Sequence, residues 1–210
     1  MSPSAQEQRP DFIVGNYFNK HQSRNPVVKW IMRRYREALY AHLNLQPGES
    51  VLEIGCGEGE LLQWLHAQVP TARLTGIDLE PWVYAETQRR FPALQFVAAN
   101  GSRLPFENQS FDKVICCEVL EHTEQPTSLI EEARRVARST VVFSVPHEPF
   151  WRILNMARGC YWRDWGNTPG HIQHWSSRAF SSMVTPHFSD VRYFTSAIPF
   201  IFAQARISKS

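Results

Sequence analysis

A chain of 210 residues is long enough for one packed core and shorter than the length at which chains usually divide into several domains. Hydrophobic residues make up 43% and charged residues 20%, a balance that can bury enough apolar surface to fold, so wholesale disorder is excluded. The net charge of +2 excludes the strong positive field that generic binding to a phosphate backbone needs.

Residues 1–25 are polar and expected to be loosely held, leaving 26–210 as a single domain. From Pro26, the residues Val27, Val28, Trp30, Ile31, Tyr35, Leu39, Leu43 and Leu45 recur at three- and four-residue steps. That spacing predicts a helix, stopped by Gln46-Pro47-Gly48. Ser50 to Ile54 reads as a first strand, followed by a helical stripe of Leu61, Leu62, Leu65 and Val69 that Pro70 ends. Leu74 to Leu79 and Leu94 to Ala98 read as the second and third strands, with Pro81 to Arg90 as a helix between them. Lys113 to Cys117 is an apolar run of the kind covered on both faces. Ser128 to Ala137 is helical, a short turn falls at Arg138-Ser139-Thr140, and Thr140 to Val145 is a fifth strand. This alternation predicts an α/β, doubly wound, parallel sheet with helices on both faces. Val191 to Ile198 and Phe200 to Ile207 leave no room for a crossover helix and are expected to pair antiparallel.

Open sheets of this kind bind ligands at the carboxyl ends of their strands. After the first strand comes Glu53-Ile54-Gly55-Cys56-Gly57-Glu58-Gly59, where glycines permit a sharp turn and close approach of a ligand. After the second stands Asp78, able to accept two ribose hydroxyls or to cap the next helix. Such a carboxylate suits a nicotinamide enzyme and an adenosine-bearing methyl donor equally. After the third, Asn100-Gly101-Ser102 offers an amide oxygen and backbone N–H groups to an adenine edge, or is simply an Asn-Gly turn. After the fourth, Glu118 and His122 are four apart and would share a helix face. After the fifth, His147 and Glu148 sit between two prolines.

Together these residues resemble the class I S-adenosylmethionine (SAM) methyltransferases, type 11 group, which includes quinone-biosynthesis enzymes. The resemblance rests on VLEIGCGEG (51–59), GIDLE (76–80), NGSRLPFENQSFDKVICCEVLEH (100–122) and RRVARSTVVFSVPHEP (134–149). It implies a Rossmann-like, mostly parallel seven-stranded sheet with an antiparallel last strand. It also implies SAM as cofactor, with S-adenosylhomocysteine (SAH) as product. Glu53, Gly55, Gly57 and Gly59 would line the methionine and ribose, Asp78 would hold the ribose, and Leu79 would lie against adenine. Gly101, Ser102 and Glu118 would complete the cofactor wall. Asn100 stands where the family usually has aspartate, keeping an acceptor for the adenine amino group without its charge.

Methyl transfer from a sulfonium needs chiefly an aligned acceptor and exclusion of water, so no metal and no covalent nucleophile are expected. If the acceptor holds a proton, His122, His147, His171 and His174 are the candidate bases. Trp151, Tyr161, Trp162, Trp165 and Trp175 crowd a segment at about 150–176, which is either a satellite core or a lid over an apolar acceptor. Helix one, with Tyr17 and Phe18 before it, is the other expected wall. The favoured acceptor is small, apolar or aromatic, and methylated on oxygen or carbon. The rivals are a non-catalytic SAM-binding partner subunit and a nicotinamide-dependent oxidoreductase. The oxidoreductase is disfavoured because its usual G-x-G-x-x-G would need glycine at position 60, where Glu60 stands, and because it does not account for the 100–122 signature. No nucleic-acid partner is expected, since the Asn/Asp-Pro-Pro-Tyr/Phe tetrapeptide of base-flipping amino-methylation is absent. A monomer or homodimer is expected. No apolar run approaches the ~20 residues of a membrane helix. Met1 to Asp11 shows no secretory apolar region, and Cys56, Cys116, Cys117 and Cys160 show no C-x-x-C spacing. A reducing, cytoplasmic setting follows as the expectation.

Overall fold

The computed structural model describes residues 25–79, 81–157, 159, 161–168, 170–195 and 198–208. The segment expected to be loose, with Tyr17 and Phe18, and Cys160 lie outside the described residues. Helix α1 (Pro26–Leu43) starts where the Asn25 side chain accepts from the Val27 N–H at 2.9 Å, and Pro26 supplies a helical φ in advance. It ends at Asn44, whose left-handed backbone (φ 48°) lets its N–H donate to the Tyr40 carbonyl. Leu45, part of the predicted helical stripe, falls just beyond this cap yet is buried in the core.

The sheet contains β1 (Ser50–Ile54), β2 (Arg73–Asp78), β3 (Gln95–Ala98), β4 (Phe111–Cys117), β5 (Ala137–Pro146), β6 (Asp190–Phe194) and β7 (Phe200–Arg206). Their spatial order is 3-2-1-4-5-7-6. Strands β1 to β5 run parallel, and β7 is antiparallel to both β5 and β6, as the short link between the last two strands predicts. Helices α2 (Glu60–Gln68), α3 (Pro81–Arg90), α4 (Pro126–Val136), α5 (Phe150–Ala157) and α6 (Ser177–Val184) complete the layers. Several boundaries differ from the sequence reading, most by one or two residues. The turn expected at 138–140 is strand, because α4 runs directly into β5 at Ala137 with no breaker between them. Strand β6 stops at Phe194, four residues short of Ile198, and β2 stops at Asp78 rather than Leu79.

Alternation along the strands divides the core in two. Val51, Ile115, Val142, Phe200 and Phe202 pack with α1 and α2, while Leu52, Val114, Val141, Phe143 and Ile201 pack with α4 and α6. Both faces are dry, which explains the continuous apolar run of β4. At its amino end, β4 also secures α1. The buried Lys113 donates from Nζ to the Leu43 and Asn44 carbonyls, both at 2.8 Å, and pairs with Glu49 at 3.3 Å. Those carbonyls belong to the last turn of α1 and its cap, where a cation is favoured. The strand order reverses between β1 and β4, so the loops leaving their carboxyl ends diverge and open a crevice there.

Candidate active site

That crevice is a cleft of about 610 Å³, a volume suited to a small ligand. One wall is the turn after β1. The Gly57 N–H donates to the Asp78 carboxylate at 3.0 Å, joining the loops after β1 and β2. Gly57 has φ 48°, and a Cβ there would meet nothing within 4 Å, because the space beside it is the cleft itself. Gly59 has φ 73°, and a Cβ there would stand 2.5 Å from the Thr87 methyl. Backbone conformation therefore asks for glycine at 57, and packing asks for it as well at 59.

Glu53 is buried on the same wall, and its Oε2 has no hydrogen-bond partner among the described residues. Burial first, and the charge of Asp78 second, push its carboxyl well above the usual range. Glu58, Glu60, Asp78, Glu118 and Glu124 also line the cleft, whereas no lysine or arginine does among the described residues. Arg90 offsets Glu58 and Glu60 at 3.4 and 2.8 Å, and the remaining acids leave the cleft a negative site. Leu79 lines it too, 65% exposed for so apolar a side chain. Asn100, Gly101 and Ser102 form the adjoining wall. The Ser102 N–H donates to Asn100 Oδ1 at 2.9 Å, so the turn read in that dipeptide exists on the cleft wall rather than instead of it.

Glu118 and His122 do not share a helix face. Glu118 occupies the left-handed region (φ 58°) where β4 ends, and only Leu120–His122 forms a 3₁₀ turn. The bend aims Glu118 at a network that sequence spacing did not reveal. The Tyr35 hydroxyl and Ser144 Oγ are 2.7 Å apart, and Ser144 donates to Glu118 Oε1 at 3.0 Å. The buried Tyr35 and the half-buried Cys117 are both held protonated. Burial leads in each case, pushing the Cys117 thiol up to about 12. Met32 and Tyr35 line the cleft, so α1 is indeed a wall, and Phe200 of β7 joins them.

The four candidate histidines separate. His122 lines the cleft, and its Nδ1 lies 2.8 Å from the Gly170 carbonyl. A carbonyl only accepts, so Nδ1 carries the proton and Nε2 is left as the basic nitrogen of the neutral ring. His171 is buried beside it, ring centroids 4.8 Å apart. His147 instead meets Ser177 Oγ at 3.1 Å and the Phe150 ring. His174 pairs with Glu148 at 3.7 Å. Neither of these two lines the cleft, and burial lowers the pKa of both. In the aromatic segment, Trp151 is buried, and both its indole N–H and Asn155 Nδ2 donate to Thr168 Oγ1. Trp162 and Trp165 stay 65% and 77% exposed. Trp151 thus belongs to the core shared with α1 and β7, while Trp162 and Trp165 are exposed.

Residues 52–145 match the family described as a methyltransferase domain. The chain is 30% identical over 166 residues to a demethylmenaquinone methyltransferase of Beutenbergia cavernae, covering 76% of this chain and 68% of that protein. It is 34% identical over 133 residues to a phthiotriol/phenolphthiotriol dimycocerosates methyltransferase of Mycobacterium leprae, covering 58% of this chain and 49% of that one. The fold matches a SAM-dependent methyltransferase from Aquifex aeolicus with a TM-score of 0.66 at 16% identity, covering 82% of this chain and 89% of that chain. The chain belongs to the class I SAM-dependent methyltransferases of the type 11 group. It spans 37%, 60% and 49% of the length of three of the curated relatives it matches.

The residues present fit that family's cofactor. SAM carries a sulfonium and an ammonium, and an acid-lined cleft containing a buried, unpartnered carboxylate oxygen suits both. A dinucleotide would instead bring a pyrophosphate against the same carboxylates, an unfavourable pairing of like charges. No helix among the described residues is long and apolar enough to cross a membrane.

Proposed function

We propose that the protein transfers the methyl group of SAM to a small, apolar or aromatic acceptor, on oxygen or carbon. The observation that carries this reading is the joined pair of Gly57 and Asp78 in an acid-lined cleft at the switch point. Asp78 would take the ribose hydroxyls, the exposed Leu79 the adenine face, and Glu53 the cationic end of the cofactor. The acceptor would enter between α1 and the loop after β4, where Met32, Tyr35, Phe200 and His122 form the remaining wall. His122 is the side chain we assign to the acceptor's proton. Segment 150–176, with Trp162 and Trp165 exposed, is the surface we assign to covering the acceptor. The relatives named for demethylmenaquinone and for phthiotriol/phenolphthiotriol dimycocerosates support a small-molecule acceptor rather than a nucleic acid.

Calorimetric titration with SAM and SAH tests the cofactor assignment. Wild type is expected to bind both, and Asp78→Ala to lose roughly 1–3 kcal/mol, the scale of a hydrogen bond to a charged group. Failure of wild type to bind, or unchanged binding in the variant, would defeat it. Transfer of a labelled methyl to a panel of quinols, phenols and lipid alcohols then separates an enzyme from a non-catalytic SAM-binding subunit.

A further inference from the structure

Glu121, His122 and His171 place one ligand-type atom each within 4.8 Å of one another. They come from two regions of the chain, the 3₁₀ turn after β4 and the stretch between Trp165 and Trp175 of the tryptophan-rich segment. That stretch is fastened to the turn, since the Ile172 and Gln173 N–H groups both donate to the Glu121 carbonyl, at 2.9 and 3.1 Å. His171 is further fixed by its own N–H to the Thr168 carbonyl at 3.1 Å and by the stacked Trp151 ring. The carboxylate is 1% exposed and His171 7%, so the cluster is set inside the protein rather than scattered on its surface. His122 is both a member of the cluster and a residue of the cleft wall.

We propose that Glu121, His122 and His171 form a binding site for a divalent first-row transition ion at the acceptor end of the cleft. Two imidazoles and one carboxylate are the donor set such ions prefer, while magnesium and calcium favour all-oxygen sites. Around an ion bound at about 2.0–2.2 Å, neighbouring ligand atoms stand roughly 3–3.5 Å apart, so small side-chain rotations close the set. The His122 Nδ1–H to Gly170 carbonyl bond is the outer contact that metal-binding histidines typically make, fixing the tautomer and ring orientation. Three protein ligands leave further coordination positions for an acceptor oxygen.

The inference rests on the cleft being a methyl-transfer site, and it narrows that reading to oxygen acceptors. A hydroxyl bound to the ion ionises near neutral pH and gives its proton to solvent, so His122 acts on that proton through the ion. The oxygen then attacks the methyl carbon, a C–O bond forms as the C–S bond breaks, and sulfur keeps the electron pair as a neutral thioether. The inference departs from the expectation that no metal is needed.

The test is titration of the metal-stripped full chain with Co²⁺, followed by visible absorption and equilibrium dialysis, with no SAM present. Wild type is expected to bind one equivalent, with d–d bands, and Zn²⁺ is expected to displace it. Glu121→Gln and His171→Ala should each weaken binding by at least about tenfold. SAH titration and thermal melting of the same stripped variants show whether they are folded. Stripped wild type that binds SAH but no Co²⁺ would overturn the metal site and leave the methyltransferase reading standing. Equal Co²⁺ binding in folded variants would place the ion elsewhere, and displacement of Co²⁺ by equimolar Mg²⁺ would overturn the assignment to a transition ion.

Discussion

Glu53 is the most unusual single group in the cleft, a buried carboxyl whose proton is held by desolvation and by the neighbouring Asp78 charge. A carboxyl with a raised pKa in the free protein favours the ionised form once a cation sits against it. Binding should therefore release a proton, and affinity should rise with pH through the titration of Glu53. We expect SAM affinity in wild type to keep rising with pH above the ordinary carboxylate range. The increase should flatten in Glu53→Gln, which keeps the size of the side chain and removes its charge. Calorimetry in buffers of different ionisation enthalpy measures the released proton directly, and an equal release by both proteins would remove Glu53 from the cofactor's cationic end. Tyr35 illustrates the limits of spacing at this scale. Its partner Ser144 lies 109 residues away, and the contact exists only because α1 crosses β5.

At the scale of elements, α1 depends on a residue that is not its own. Lys113 satisfies the carbonyls of Leu43 and Asn44 from inside the sheet. Lys113→Met would keep the stem and leave those carbonyls without their charged donor, at a cost of about 1.5–3 kcal/mol. Urea unfolding should show a lower midpoint at unchanged slope, and a loss below about 0.5 kcal/mol would mean that water replaces the ammonium. In sequence, Lys113 read only as the first residue of an apolar run. The elements legible there were those with strong local causes: the stripe of α1, the buried runs of β1 and β4, and the glycine turn with Asp78 after β2. The short helices α5 and α6, eight residues each, were not read: aromatic crowding in 150–176 masks any stripe in α5, and the two turns of α6 are too short to repeat one. The α4–β5 boundary was misplaced because Val136-Ala137 contains no breaking residue, so pairing with β4 alone decides where strand begins. In the candidate site, Asp78 and the glycines were found by their position after strands. The left-handed Glu118 and the meeting of His122 with His171 were missed, since both arise from chain reversals that spacing does not encode.

For the molecule as a whole, the two rims of the sheet have different tasks. The carboxyl rim holds the cleft, and the amino rim is braced by Asp112. Asp112 accepts from the Ser50 N–H and hydroxyl at 2.8 and 2.7 Å and from Arg138 at 3.2 Å, so one carboxylate ties β1, β4 and β5. Partial burial acts to raise its pKa, but the Ser50 hydrogen bonds and Arg138 outweigh that and hold the carboxyl below its usual range. A depressed carboxyl stabilises the fold above its unfolded pKa, about 3.9, and loses that contribution as pH falls through the folded value. Asp112→Asn should accordingly unfold at lower urea than wild type near neutral pH, by about 1–3 kcal/mol for hydrogen bonds to a charged group. The difference should shrink as the pH is lowered below about 4, where wild type also loses the charge. SAM affinity of the folded variant should match wild type, because Gly57, Asp78 and Asn100 all sit at the opposite rim. A fall in affinity without loss of stability would show that the rims are coupled through the strands. Equal acid sensitivity in the two proteins would show that Asp112 does not brace the sheet through its charge.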